Sequence, residues 1–269
     1  MRKTAALLAL VLLAGCSSTV APTPSSAPPT TPTPTPEPVI GLAVGDCTGK
    51  IDFAQPASRV RPSTCENLHA YEVSAVIPVS GDEYPGQEAL KSEAVAKCGT
   101  AFTEYVGVAA TYSRYTSAYL APDEETWKTP SDREIVCLVG QAGNWLGSAK
   151  GDTNLLPDKG ECTGPNNVPL LELEVLPCAA AHNWEVFAVT TIKSKKLPSE
   201  KKVQEIVSEK CSAGFTKFVG LDVEKSKYEY SWRYISDAKL WPEVKDHRLV
   251  CMAGSDKTTT VGTLKGAKK

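Results

Sequence analysis

The chain has 269 residues, of which 42% are hydrophobic and 22% are charged, and its formal net charge is −2. This near-neutral composition, with no stripe of basic residues, excludes nucleic acid as an expected partner. Beyond the N-terminal segment, no stretch approaches the roughly 18 apolar residues that a membrane-spanning helix needs, so we predict none in the mature chain.

The first 15 residues have the anatomy of a bacterial signal peptide. Arg2 and Lys3 form a positive start, and residues 4–13 form an apolar stretch that is too short to span a bilayer. Leu13-Ala14-Gly15-Cys16 then looks like a lipobox, which predicts cleavage before Cys16 and lipidation of that residue. The alternative is an ordinary secretory signal with an incidental cysteine. Both interpretations predict an exported chain, and the first predicts a lipid anchor on the extracytoplasmic face of the cell membrane.

Residues 16–38 are rich in Pro, Thr, Ser and Ala and end in a TPTPTPEP run. Such a segment buries too little apolar surface to fold, and its prolines favour polyproline II structure at about 3.1 Å per residue. We therefore predict a tether that could hold the folded part up to roughly 60 Å from the membrane.

The rest of the chain contains one pattern twice. Cys65-Glu-Asn-Leu-His69-Ala-Tyr-Glu72-Val73 reappears as Cys178-Ala-Ala-Ala-His182-Asn-Trp-Glu185-Val186. Successive cysteines are 18, 33 and 39 residues apart in the first set of four, and 16, 33 and 40 apart in the second. A tandem duplication of a domain of about 100 residues explains both observations. We place copy one at 39–141, a linker at 142–154, copy two at 155–254 and a disordered tail at 255–269.

Export decides how the eight repeated cysteines are interpreted. Outside the cytosol thiols are usually oxidised, and this set lacks the close Cys-x-x-Cys pairs of compact metal sites. Four cysteines per copy allow three pairings, and spacing alone leaves the choice open. We favour first-to-second and third-to-fourth pairing in each copy: Cys47–Cys65, Cys98–Cys137, Cys162–Cys178 and Cys211–Cys251.

Each copy is predicted to contain the same order of elements. An alternating, β-branched segment (72–79 and 184–192) predicts a strand, and a proline then precedes a helix. Apolar residues at four-residue steps give that helix one buried face, and a glycine ends it. These apolar residues are Leu90, Ala94, Cys98 and Phe102 in copy one, and Val203, Val207, Cys211 and Phe215 in copy two. Further strands follow at 115–120 and 228–235 and around the last cysteine of each copy. This order predicts an α+β fold, in which each copy has a small, mainly antiparallel sheet, one main helix and two disulfides.

These motifs together resemble the septum formation domain of actinobacterial envelope proteins. The resemblance rests on Gly45-Asp46-Cys47, Cys65-x3-His69-x2-Glu72-Val73, the helix bearing Cys98, Trp127, and Arg133 before Cys137. Copy two matches with Gly160-Glu161-Cys162, Cys178-x3-His182-x2-Glu185-Val186, Cys211, Trp241, Arg248 and Cys251, although Glu161 replaces the Asp. The resemblance covers nearly all of residues 44–253 and implies an envelope protein linked to septation. It implies no catalytic residues.

The repeated histidine–glutamate pairs are the strongest candidates for chemistry. His69 lies three residues before Glu72, and His182 lies three before Glu185. Such a pair suits a general base or part of a metal site, but no third ligand recurs at a fixed offset. The structural alternative is a histidine that hydrogen-bonds the backbone beside a disulfide.

Two tryptophans are candidates for binding. Trp127 and Trp241 each stand ten residues before the last cysteine of their copy. Each is either an exposed platform for a glycan or protein, or a side chain packed against the helix or sheet.

These features predict a lipoprotein that presents two non-catalytic binding domains in the cell envelope. The chain contains no nucleophile elbow, P-loop or His-Glu-x-x-His motif, so we expect neither an enzyme nor a cofactor or metal site. The expected partners are the membrane, through the lipid anchor, and proteins of the envelope or of cell division, or a wall polymer. The alternatives are a wall-acting enzyme that uses the histidine–glutamate pairs, and a sensor of a metal or small ligand.

Overall fold

The computed structural model describes residues 41–53, 60–129 and 132–269. The predicted signal peptide, the predicted lipidation site Cys16 and the predicted tether lie outside the described residues. Both sheets described below belong to one compact unit, Pro36–Lys269.

The first sheet has five antiparallel strands in the part of the chain that the structure describes. They are β1 (Cys47–Thr48), β2 (Pro62–Ser63), β3 (His69–Pro78), β4 (Thr116–Leu120) and β5 (Glu134–Trp145). Their order across the sheet is β2-β1-β3-β5-β4. Strand β5, which lies between β3 and β4, places Val136, Leu138 and Val139 in the core, each at most 1% exposed.

The second sheet has the same strand order. Its strands are β6 (Cys162–Thr163), β7 (Val175–Leu176), β8 (Trp184–Thr191), β9 (Glu229–Tyr234) and β10 (Arg248–Gly254), arranged β7-β6-β8-β10-β9. We call residues 41–152 the first half and residues 153–269 the second half, and we call residues at the same place in the two sheets counterparts. The predicted α+β fold with two antiparallel sheets is confirmed.

One helix packs on each sheet, as the four-residue spacing predicts. Helix α1 (Gln87–Val106) buries Leu90, Ala94, Cys98 and Phe102, and it ends at Gly107, whose φ of 90° is left-handed. In the second half, α2 (Glu200–Ile206) and α3 (Ala213–Val219) flank a π-helical turn, Val207–Ser212. Its buried residues Val203, Val207, Cys211 and Phe215 are the four that the spacing indicates.

The four disulfides of the described chain are the four pairs that we favour from the sequence. Cys98–Cys137 joins α1 to β5, and Cys211–Cys251 joins the π-helical turn to β10. Cys47–Cys65 and Cys162–Cys178 each close a short loop at the other end of the sheet. Each half therefore has one covalent link between its layers and one at its edge.

The tail differs from the expectation of disorder. Leu264 is 1% exposed within the core of the second half, and the backbone N–H of Gly266 donates to the carbonyl of Phe218 at 2.7 Å. Glycine, threonine and lysine suggest disorder by composition, but one apolar side chain and a series of backbone hydrogen bonds are enough to hold this segment in place.

Among the helices that the structure describes, none is both long and apolar enough to cross a bilayer.

Candidate functional site

The two repeated histidines are buried beside the edge disulfides. His69 and His182 are both 0% exposed, and their Nδ1 atoms lie 2.8 and 2.9 Å from the carbonyl oxygens of Asn67 and Ala180. Because a carbonyl only accepts, Nδ1 is the protonated nitrogen in this arrangement. Each Nε2 is buried with no hydrogen-bond partner among the residues described. The backbone hydrogen bond beside a disulfide matches the structural alternative for these residues.

Sulfur, nitrogen and oxygen atoms gather around both histidines. The ligand atoms of Cys47, Cys65 and His69 lie within 4.8 Å of one another, as do those of Cys162, His182 and Glu185. The cysteines in both groups are disulfide-bonded, so they offer no thiolate to a metal ion. Among the described residues, Glu185 belongs to the group in the second half, whereas Glu72 does not belong to the group in the first half.

The two repeated glutamates each bind the segment that follows the sheet. Glu72 is 1% exposed and accepts hydrogen bonds from Tyr105 Oη at 2.7 Å, Ser148 Oγ at 2.5 Å and the backbone N–H of Ala149 at 2.6 Å. These contacts occupy both carboxylate oxygens. Burial, followed by the hydrogen bond to Glu72, raises the pKa of Tyr105.

Glu185 makes the counterpart contacts in the second half. It is 5% exposed and accepts from Thr263 Oγ1 at 2.8 Å and from the backbone N–H of Leu264 at 2.6 Å. Phe218 occupies the position of Tyr105 and cannot donate a hydrogen bond. In both halves the glutamate is a buried anchor for backbone.

Trp127 and Trp241 are core residues. Trp127 is 3% exposed and lies under the guanidinium of Arg133, 5.2 Å from the ring centroid. Trp241 is 0% exposed and stacks on His247 with 4.3 Å between ring centroids. The carbonyl oxygens of both tryptophans accept from these same neighbours. The structure therefore makes His247 the counterpart of Arg133, a place that the sequence motif gives to Arg248.

A cleft between the two halves is the accessible site that the sequence analysis missed. It has a volume of about 320 Å³. Its lining is largely apolar: Trp145, Leu146, Val175, Leu176, Pro177 and Ala179, with Arg114, Tyr115, Gln141 and Glu161 as the polar groups. Leu146 is 54% exposed, whereas Trp145 is 5% exposed and packs on His69 and Tyr115.

Arg114 connects the halves at this cleft. Its guanidinium pairs with Asp152 in the first half and with Glu161 in the second half, both at 2.7 Å. Burial lowers the pKa of Arg114, but Glu161, Tyr115 and Asp152 raise it by more, so the net shift is upward. The tripeptide Ser113-Arg114-Tyr115 recurs as Ser226-Lys227-Tyr228. This recurrence is the feature of the sequence that could have identified Arg114 as a candidate.

The cleft wall also contains two donors that lack acceptors. The Nε1 of Trp145 and the Nε of Arg114 are buried and have no hydrogen-bond partner within residues 41–53, 60–129 and 132–269. Buried N–H groups of folded proteins are usually hydrogen-bonded, so two orphans in one wall are unusual. Acceptor groups of a ligand, such as peptide carbonyl oxygens, could satisfy them if the lining side chains move aside.

Comparison with known proteins gives a family but no close relative. A family model described as septum formation matches residues 44–251, a range that includes the first sheet and all of the second except the end of β10. No curated protein and no solved structure matches the chain.

Proposed function

Because this chain belongs to the septum formation family, we propose that it is a lipid-anchored envelope protein that binds its partners and catalyses no reaction. Family membership fits a role in cell division or in the cell envelope. The lipobox at Cys16 and the proline-rich tether support anchoring on the extracytoplasmic face of the membrane. The equal strand order of the two sheets supports a tandem duplication.

The cleft between the halves is the observation that carries the binding proposal. It combines an exposed apolar residue, Leu146, with a fixed charge at Arg114 and two donors without acceptors. An extended segment of a division or envelope protein offers apolar side chains and carbonyl oxygens together. A wall polymer would offer acceptors but little apolar surface, so the lining favours a protein partner.

The buried carboxylates support the non-catalytic part of the proposal. Glu72 and Glu185 are the acids that both copies of the repeated motif share, and the oxygens of each accept hydrogen bonds from backbone and hydroxyl donors. A general base needs a position from which it can reach a substrate proton. The alternative of an enzyme that uses these glutamates would require the bound segments to leave first.

Site-specific photocrosslinking in living cells tests the cleft. A photoreactive amino acid at position 146 should trap a defined envelope or division protein, whereas the same group at Val95, which is 59% exposed on α1, should not. In chains without the photoreactive group, Leu146→Glu should impair septal localisation, while Val95→Glu should not. A Leu146→Glu protein of normal abundance that localises and supports division as the wild type does would overturn the proposal.

The anchor has its own test. Cys16→Ser should leave an exported chain that is recovered in the medium or soluble fraction, because no acyl chain would hold it on the membrane. The matched change Ser17→Ala should leave the protein in the membrane fraction. Retention of the Cys16→Ser protein in that fraction would contradict lipid anchoring at this residue.

A further inference from the structure

The contact between the two halves joins two different surfaces. The first half contributes a basic face, which we define by Arg114, Tyr115 and Leu146. The second half contributes an acidic face, which we define by Glu161, Pro177 and Ala179. All six residues line the cleft. A contact of this heterologous kind uses one face of each half and leaves the counterpart faces free.

The free basic face lies on the second half and retains the arrangement of its counterpart. Lys227 stands over the ring of Tyr228 with its Nζ 5.0 Å from the centroid, as the guanidinium of Arg114 stands 5.3 Å from the centroid of Tyr115. Lys227 is exposed and has no ion-pair partner among the described residues. Val261, the counterpart of Leu146, is 67% exposed.

The free acidic face lies on the first half. Asp46 Oδ2 accepts from the backbone N–H of Ala43 at 2.8 Å, and its counterpart Glu161 Oε2 accepts from the N–H of Asp158 at 2.6 Å. Glu161 is also paired with Arg114, whereas Asp46 has no cation beside it in the described part of the chain. Val44, two residues before Asp46, is 56% exposed, and the exposed residues Thr64 and Glu66 stand at the places of Pro177 and Ala179.

We propose that this chain associates head to tail with a second copy of itself. Lys227 of one chain pairs with Asp46 of the next, in the place of the internal pair between Arg114 and Glu161, and Val261 covers the exposed Val44 beside Asp46. The charges are complementary, and each chain keeps one face of each kind free. The association is therefore heterologous, and successive chains either continue along a row or close into a ring.

Two differences make this contact weaker than the internal one. The counterpart of Asp152 is Ala267, so Lys227 gains one carboxylate where Arg114 has two. In the internal contact, the side-chain amide of Gln141 donates to the carbonyl of Val175. In the second half, the turn that follows β10 contains Asp256, whose carboxylate accepts from the N–H of Asn166 and from Trp184 Nε1. This turn therefore cannot reproduce the Gln141 contact. A small contact of this kind is typical of transient association.

Sedimentation velocity of the full chain carrying Cys16→Ser tests the proposal. The weight-average sedimentation coefficient should rise across roughly 10 to 500 µM, the range of a weak contact. Lys227→Glu should raise the dissociation constant by at least about tenfold, because two acidic groups then face each other. Lys225→Glu, a change of equal charge at an exposed neighbour whose side chain is 71% exposed, should not change it.

A charge swap separates a specific contact from general repulsion. Asp46→Lys alone should also weaken association, and an equimolar mixture of the Asp46→Lys and Lys227→Glu chains should restore it. A wild-type chain that stays monomeric over the whole range, or a mixture that fails to associate when its components are folded, would overturn the proposal. Equal weakening by Lys225→Glu would do the same.

Discussion

Two carboxylates at counterpart positions each organise a stretch of backbone. Glu72 receives the N–H of Ala149 and two hydroxyls, and Glu185 receives the N–H of Leu264 and one hydroxyl. A buried carboxylate is costly unless it is hydrogen-bonded, and here every described contact is a donor. The glutamates thus stabilise the segments that close each half.

Glu72→Gln should lower the free energy of unfolding by about 2 kcal/mol, the loss typical of hydrogen bonds to a charged group. The glutamine side chain has the same shape as glutamate, but its NH2 group is a donor and would face the donors that now contact Glu72. Urea denaturation of the purified chain measures the change. The control is Glu104→Gln on the exposed face of α1, which should shift stability by less than about 0.5 kcal/mol. Equal shifts in the two variants would contradict an anchoring role for Glu72.

The closing segments are elements that secondary-structure patterns do not reveal. Gly147-Ser148-Ala149-Lys150-Gly151 follows the first sheet and Gly262-Thr263-Leu264-Lys265-Gly266 follows the second. The N–H of Gly147 donates to the carbonyl of Cys65, and that of Gly262 donates to the carbonyl of Cys178. Each segment therefore fastens the chain back onto its edge disulfide loop before it continues.

Leu264→Ala should destabilise the chain by about 3 kcal/mol, because it leaves a cavity in the core that includes Phe215 and Val219. Val261→Ala, three residues earlier in the same segment, should cost less than about 0.5 kcal/mol, since Val261 is 67% exposed. Thermal and chemical denaturation at low protein concentration provide the measurement. If the tail were detached in solution, the two variants would be equally stable.

Elements with strong periodicity are predictable from this sequence, whereas the closing segments are not. The four-residue spacing through Cys98 and Cys211 indicates both helices and their buried faces. The composition of the tail predicts disorder, but its stabilising contacts come from Glu185, which is 79 residues away from Leu264. Such distant contacts leave no local pattern in the sequence. The repeat of Gly-Ser-Ala-Lys-Gly as Gly-Thr-Leu-Lys-Gly was the available signal, and it extends the match between the halves beyond their last cysteines.

At the scale of the whole molecule, the halves are joined by a polar cluster with close backbone approaches. Arg114 bridges Asp152 and Glu161, and the Nζ of Lys245 donates to the carbonyl of Gly107 at 2.8 Å. At Gly143 an added Cβ would lie 2.5 Å from a carboxylate oxygen of Glu174, so any side chain there would have to displace the Glu174 side chain. The sequence could not indicate this contact, because it depends on how two separately patterned sheets are placed.

Arg114→Ala should lower the free energy of unfolding by about 3 kcal/mol, because it leaves two partly buried carboxylates without a cation. Arg114→Lys should fall between Arg114→Ala and the wild type, since an ammonium retains the charge but not the fork that reaches both acids. Denaturation at low micromolar concentration, monitored by tryptophan fluorescence, measures both.

Lys227→Ala is the matched control for Arg114→Ala, because it removes the counterpart cation from the same Ser-x-Tyr context. Lys227 is exposed and pairs with no carboxylate among the residues described, so its loss should change the stability of the monomer by less than about 0.5 kcal/mol. A large cost for Arg114→Ala beside a negligible one for Lys227→Ala would mean that one cation holds the halves together while its counterpart remains available to another chain. Equal costs would mean that the contact between the halves depends on something other than this ion pair.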